Sequence, residues 1–276
     1  MSQVYGRQQD LVKSGAVVKR VADGFGFLEG PAPDNNGNIY FTDIPNDRIY
    51  RLTPEENIEL FIDASGRANG LRIDQDGNLI VCEMANRRVT RIDANGQVSV
   101  LAEQLGGLRF NSPNDLWIAP DGGIYFSDPR YGPTNDKEMS GDHVYYISPD
   151  RTNVIRVADG LIRPNGLIGT PDGRLLYIAD HGAGKTYVYR RGEGGLLFDR
   201  QLFVAHGSDG MTMDTMGNVY LTGQDITIYD PDGVSVGSIA VPEAPSNLTF
   251  GGPEGTTLFI TARTSLYAIE MVIMGQ

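Results

Sequence analysis

The chain of 276 residues holds a single cysteine, Cys82, and a single tryptophan. One cysteine excludes an intrachain disulfide, and its setting in Leu79-Ile-Val-Cys-Glu83 suits a small buried hydrophobe. Positive charge is also scarce: 23 Lys and Arg stand against 35 Asp and Glu, a formal charge of −12. Phosphate binding needs a basic face, so nucleic acid is excluded as a partner. No stretch approaches the ~20 consecutive apolar residues of a membrane span, so no membrane association is expected. The opening MSQVYGRQQDLVKSG lacks the apolar run of a signal peptide, which points to the cytoplasm and makes the sequon Asn247-Leu-Thr249 a chance match. The oligomeric state expected is a monomer or small homo-oligomer.

Glycine is plentiful, with 35 residues, beside 15 prolines and few runs of helix formers. That balance favours an all-β chain dense in turns. Turn glycines recur at Gly37, Gly77, Gly122, Gly173, Gly217 and Gly255, spaced between 38 residues (Gly217 to Gly255) and 51 (Gly122 to Gly173). Each opens an apolar strand: 38–43, 78–83, 123–128, 174–180, 218–223 and 256–261. A period of this length signals an array of supersecondary units. Within a unit, Asp-Gly and Asn-Gly pairs separate alternating apolar runs, as at Gln75-Asp76-Gly77 and Ala94-Asn95-Gly96, which is the strongest local hairpin signal.

Six units of four antiparallel strands predict a six-bladed β-propeller forming one domain over residues 1–276. The segment from Ala16 to Gly24 resembles the outer strands at 153–160 and 199–206. It is therefore expected to complete the last blade, closing the ring and removing open sheet edges. Residues 1 to about 14 are left over as a peripheral or disordered segment. The longest non-strand stretch, Pro129 to Gly141, is a candidate lid.

Eight positions before each turn glycine stand Glu29, Asn69, Asn114, Asn165, Asp209 and Asn247. In a propeller the first strand of each blade lines the central channel, so a fixed position per blade lies on a ring around the axis. One such side chain usually caps a turn, but six in one register imply a shared geometric demand. Two carboxylates and four carboxamides form a hard oxygen set, which suits Ca²⁺ better than Zn²⁺ or copper. Mg²⁺, Mn²⁺ and Zn²⁺ remain alternative occupants. The next strand returns to the same mouth, where Asp43, Glu83, Asp128, Asp180, His181 and Arg263 are expected to form a second wall, with some of the four carboxylates capping turns instead.

Several motifs together resemble the gluconolactonase family, the senescence-marker-protein or regucalcin-like group of metal-dependent lactonases. They are Leu28-Glu-Gly-Pro31, Asn111-Ser-Pro-Asn-Asp-Leu116, Tyr125-Phe-Ser-Asp-Pro-Arg-Tyr-Gly132, Arg163-Pro-Asn-Gly-Leu167, Ser208-Asp-Gly-Met211 and Thr261-Ala-Arg-Thr-Ser-Leu266. The resemblance covers nearly the whole chain and implies a six-bladed propeller with Glu29, Asn165 and Asp209 as metal ligands. Asn114 matches the family's further pocket asparagine, which binds calcium in related organophosphate-hydrolysing propellers. Asp209 corresponds to the general acid/base. Asn69 and Asn247 match no family ligand and are expected to act behind the ligands or through water.

The chain departs from the pattern at two places. Animal lactonases carry a substrate-contacting arginine where Ser112 stands, a role that Arg109 or Arg130 could take over. Many bacterial relatives have Asp-Pro-Pro-Tyr-Gly where this chain has Asp128-Pro-Arg-Tyr-Gly132. Arg130, Tyr131, His181 and Arg263 are candidates to bind substrate hydroxyls or a carboxylate. The implied activity is opening of sugar lactones such as gluconolactone. The alternatives are a calcium-dependent phosphotriesterase and a non-enzymatic calcium-binding propeller. A serine hydrolase is disfavoured, because His206-Gly-Ser-Asp-Gly210 lacks the context of a catalytic triad.

Overall fold

The computed structural model describes residues 11–276; residues 1–10, most of the segment expected to be peripheral, lie outside the described residues. The turn chemistry acts as the sequence suggests. The Asp34 carboxylate accepts the backbone N–H groups of Asn36 and Asn38 at 2.9 and 2.8 Å, and Gly37 adopts φ 82°, a conformation that only glycine takes without strain. Asp74 and Asp214 repeat this arrangement in two further hairpins.

The described residues form six four-stranded antiparallel sheets and one two-stranded hairpin. Blade one comprises Leu28–Pro33, Ile39–Asp43, Arg48–Leu52 and Ile58–Asp63. Blade two follows with Ala68–Ile73, Leu79–Glu83, Arg88–Ile92 and Val98–Ala102. Blade three holds Leu116–Ile118, Ile124–Asp128, Asp142–Ile147 and Val154–Leu161. Blade four holds Pro164–Gly169, Leu175–Asp180, Lys185–Arg191 and Leu197–Val204. Blade five is Met211–Met213, Val219–Thr222, Ile226–Tyr229 and Ser235–Ile239. Blade six joins Pro245–Gly251, Thr257–Ala262 and Ser265–Glu270 to the N-terminal strand Lys19–Ala22. The predicted second strands are all present, each beginning one residue later than expected.

Closure of the ring is direct. Lys19 pairs with Ala268 and Arg20 with Tyr267, so the N-terminal strand becomes the outer strand of the last blade. Ahead of it, Leu11 is buried in the core of blades five and six, and Val12 bridges Met271. Between blades two and three the short hairpin Gln104–Leu105 with Leu108–Arg109 turns at Gly106-Gly107, both at positive φ, a turn that lies outside the six-unit repeat.

Burial follows from stacking blade on blade. Middle strands such as Ile39–Asp43 and Leu79–Glu83 are buried along their whole length, because neighbouring blades cover both faces. That explains runs like Ile-Tyr-Phe-Thr-Asp, where strict alternation would mark a one-sided sheet. Each buried Leu, Ile or Phe contributes about 1.5–3 kcal/mol relative to exposure. The outer strand Ile58–Asp63, by contrast, is partly or fully exposed throughout. Cys82 is fully buried within a cluster that includes Phe110, Leu116 and Phe126, in keeping with its reading as a core residue. Among the described residues no helix is long and apolar enough to cross a membrane.

Candidate active site

The ring residues are brought to the axis by irregularities in the inner strands. Pairing slips between Glu29 and Ala32, between Ala68 and Leu71, between Pro164 and Leu167, and between Pro245 and Asn247. Each slip spans a ring position, and a bulge at that point re-aims the side chain that an even pleat would send into a blade face. In blades three and five the paired strand begins two residues after the ring residue, at Leu116 and Met211. Asn114 and Asp209 thus also stand clear of the regular ladder.

A belt of bonds between blades fixes the ring. Gly70 N–H donates to the Asn114 carbonyl at 2.7 Å, Gly166 N–H to the Asp209 carbonyl at 2.6 Å and Gly210 N–H to the Ser246 carbonyl at 2.8 Å. A Cβ on Gly30 would stand 2.0 Å from the Asn69 carbonyl oxygen, so a glycine beside the donor lets adjacent inner strands touch. Hydroxyls on the second strands complete the belt. Thr42 donates to the Asn69 carbonyl, Thr222 accepts the Asp209 N–H, and Thr261 accepts the Asn247 N–H. The signal was present in Glu29-Gly30, Asn69-Gly70, Asn165-Gly166 and Asp209-Gly210, where glycine follows the oxygen donor in four of six blades.

Side-chain bonds then join four of the ring members in two pairs. Asn247 Nδ2 donates to Glu29 Oε2 at 3.0 Å and lies 3.5 Å from Asp115 Oδ2. Asn165 Nδ2 donates to Asp209 Oδ1 at 2.5 Å and to the Tyr131 hydroxyl at 2.7 Å. The side chains of Glu29, Asn69, Asn114, Asn165 and Asn247 are buried. Asn247 in particular is only 2% exposed, out of reach of any glycosylating enzyme.

Electrostatics give the site its character. Burial, then the charge of Asp209, pushes the Glu29 carboxyl well above its ordinary range. Burial likewise lifts Asp209 to about 6, against a lowering by the nearby His181 charge. A third carboxylate, Asp115, is fully buried just behind them and is raised by burial in spite of Arg72. Among the described residues no Lys, Arg or His side chain forms an ion pair with Glu29 or Asp209 within 4.0 Å. Buried carboxylates without a paired cation are costly to ionise, and a divalent cation would relieve that cost.

The donor set suits such an ion. Among the described residues no three His, Cys, Asp or Glu side chains gather in metal-holding geometry, so carboxamides must supply part of any shell. Asn69 Oδ1 is buried with no hydrogen-bond partner, an orphaned acceptor on this same ring. All-oxygen donors of this type match a hard cation such as Ca²⁺.

The expected second wall requires correction. Asp128 is fully buried, and its two oxygens accept the backbone N–H groups of Asn111 and Ser112 at 2.8 and 2.7 Å. It fastens the segment entering blade three and does not face the mouth. Asp43 serves Gly26 and Phe27 in the same way, and Asp180 serves Ile162 and Arg163. Glu83 is turned to Thr90 and Arg88. A strand-end carboxylate can fold back onto its own entry loop, and sequence position alone does not reveal it.

Two of the candidate arginines are likewise engaged elsewhere. Arg109 is exposed and pairs with Glu138 at 2.6 Å. Arg130 donates to the carbonyls of Pro133 and Asn111 at 2.7 and 2.8 Å and pairs with Asp136. Both fasten the 129–141 loop. Tyr131 points the other way, reaching Asn165, and burial pushes its phenol above the ordinary range. His181, in a single 3₁₀ turn at His181–Ala183, and Arg263, lying over the Phe27 ring, both act on the Asp209 carboxylate through their charge. Sequence reasoning missed Arg163, whose guanidinium lies 4.9 Å from the centre of the Tyr131 ring.

This architecture is shared with known proteins. The family described as SMP-30/Gluconolactonase/LRE-like region matches residues 27–264. A gluconolactonase from Zymomonas mobilis is 33% identical over 295 residues, covering 94% of this chain and 82% of the relative. A solved gluconolactonase from Xanthomonas campestris superposes with a TM-score of 0.90 at 30% identity, covering 97% and 93% of the two chains. The calcium-binding protein regucalcin from Agrobacterium tumefaciens, at 18% identity and a TM-score of 0.79 over 93% and 94%, shares the fold. With a ring of oxygen donors inside a closed six-bladed propeller and a family match across most of its length, this chain belongs to the SMP-30/gluconolactonase/LRE-like family.

Proposed function

We propose that this protein is a lactonase that opens sugar lactones such as gluconolactone with the help of a bound divalent cation, Ca²⁺ by preference. Glu29, Asn114, Asn165 and Asp209 would hold the ion, with Asn247 and Asp115 behind them. The observation that carries this reading is the pair of carboxylates, Glu29 buried and Asp209 half-buried, set in a ring of carboxamides with no ion-paired side chain. Two negative charges balance a dication. The gluconolactonases among its relatives support the choice of substrate.

When bound, the ion supplies Lewis-acid polarisation of an acyl oxygen and charge stabilisation as the carbonyl carbon becomes tetrahedral. The chain supplies the proton chemistry. Asp209 has one oxygen engaged by Asn165, and the other is left to take a proton from attacking water and return it to the leaving hydroxyl. Burial raises this carboxyl to about 6 in the absence of the ion; a bound dication favours its ionised form, so that it is a base at neutral pH. His181 and Arg263 border the Asp209 side and are placed to meet substrate oxygens.

Lactone hydrolysis followed by pH-stat, before and after exhaustive chelation and again after returning Ca²⁺, tests the proposal. Activity must vanish with the ion and come back with it. Undiminished turnover in the chelated protein would refute the role given to the ring. Parallel assays on paraoxon-like phosphotriesters separate this reading from an organophosphate hydrolase.

A further inference from the structure

The loop from Pro129 to Gly141 is held far more tightly than a surface decoration requires. Arg130 N–H donates to Asp142 at 3.1 Å, and its guanidinium spans the carbonyls of Asn111 and Pro133. Arg87, reaching over from blade two and only 5% exposed, donates to the Asp136 carbonyl at 3.1 Å. Lys137 pairs with Asp142 at 2.5 Å, and Arg109 with Glu138. The residue these anchors present to the ring is Tyr131. Its ring is covered by the Arg163 guanidinium from the entry to blade four, a cation–π contact made at the rim, with Arg163 exposed and Tyr131 half-buried.

The Tyr131 hydroxyl has a defined polarity. Asn165 Nδ2 donates to it at 2.7 Å, which occupies an acceptor lone pair. A phenol with an ordinary pKa near 10 keeps its proton at neutral pH. Among the described residues no acceptor receives that proton. The hydroxyl is therefore a donor without an acceptor, beside Asn165 and Asp209.

We propose that Tyr131 reads a hydroxyl-bearing position of the substrate, donating its phenolic proton to an oxygen on the lactone ring, with Arg163 as the positioning residue that holds the phenol in place. This rests on the lactone-hydrolysis reading above. Tyr131 selects polyhydroxylated lactones over unsubstituted ones. A ring without that oxygen leaves the phenol facing the ligand with no acceptor, and a site built around a hydrogen bond discriminates against ligands that lack it.

The test compares kcat/KM for glucono-δ-lactone and δ-valerolactone in the wild type, Tyr131→Phe, Arg163→Ala, Arg163→Lys and the Tyr131→Phe/Arg163→Ala double variant, all in saturating Ca²⁺. Tyr131→Phe should lower the preference for the sugar lactone about three- to tenfold, the size of one neutral hydrogen bond, mainly through KM. Arg163→Ala should move it the same way, Arg163→Lys should restore most of it, and the double variant should lose no more than Tyr131→Phe alone. A preference unchanged by Tyr131→Phe, in a protein that hydrolyses both lactones and melts like the wild type, overturns the role of Tyr131. Additive losses in the double variant overturn the role of Arg163. A wild type that opens neither lactone refutes the lactonase reading itself, and this inference falls with it.

Discussion

Asn247 Nδ2 donates to Glu29 Oε2 at 3.0 Å across 218 positions of sequence, joining the last inner strand of the propeller to the first. The bond fixes the Glu29 carboxylate where it faces Asp209. Partners of this kind behind a metal-binding carboxylate typically govern affinity by 10–100-fold. Asn247→Ala should therefore weaken Ca²⁺ binding by about 10–100-fold, measured by isothermal titration. Affinity equal to the wild type would show that Glu29 holds its place unaided.

Asp209→Asn removes the group assigned to proton transfer and keeps an oxygen on the ring. Turnover of gluconolactone should fall by about 10²–10⁴, the usual contribution of a general base. The melting temperature of the cation-free protein should not fall, because the exchange removes a buried charge whose pKa is already raised by burial. Calorimetry on the chelated protein, beside the pH-stat assay, reads both quantities.

Asp128 connects the entry of blade three to its second strand. Asp128→Ala orphans two buried N–H groups, each costing about 1–3 kcal/mol, and should lower the urea midpoint markedly. Burial raises this carboxyl from 3.8 to about 7, so the fold favours the protonated form. Stability from that preference is complete below about pH 4 and is lost as pH rises through about 7. The stability difference between wild type and the non-titrating Asp128→Asn should accordingly be greater at pH 5 than at pH 8.

Gly30 and Gly77 make a matched pair for the contact between blades. Both have positive φ, 50° and 82°, but a Cβ on Gly30 would press on the Asn69 carbonyl at 2.0 Å, while one on Gly77 meets nothing within 4 Å. Gly77→Ala should cost about 1 kcal/mol from backbone strain alone. Gly30→Ala should cost several times as much and also disturb cation binding. Equal melting temperatures for the two variants would remove the belt from the account of the ring.

The propeller was legible because its periodic signals are local. The turn at Asp34-Asn-Asn-Gly37 and its counterparts dictate hairpins within a few residues, and the constant spacing of eight from ring residue to glycine survives changes in blade length. The ring was legible for the same reason. Asp128 was not, because whether a carboxylate turns outward or back onto N–H groups sixteen residues away depends on the path of a loop. Arg130 and Arg109 were misjudged similarly: their partners Asp136 and Glu138 become neighbours only once the 129–141 loop has folded over. The pairing of Tyr131 with Arg163 spans two blades and leaves no mark in either sequence segment.

The outer strand of blade six has a consequence for the order in which the molecule is made. Among the described strands, Lys19–Ala22 leaves the ribosome ahead of all the others, but its partner Ser265–Glu270 follows all of them. Until then the earlier strand has nowhere to dock, while the intervening sheets can already assemble one after another. The hydrogen bond from Asn247 to Glu29 must likewise wait until the inner strand of blade six has emerged. Competence to bind a cation should therefore arrive in a single late step, and a nascent chain stalled before residue 265 should carry well-formed sheets but no working centre.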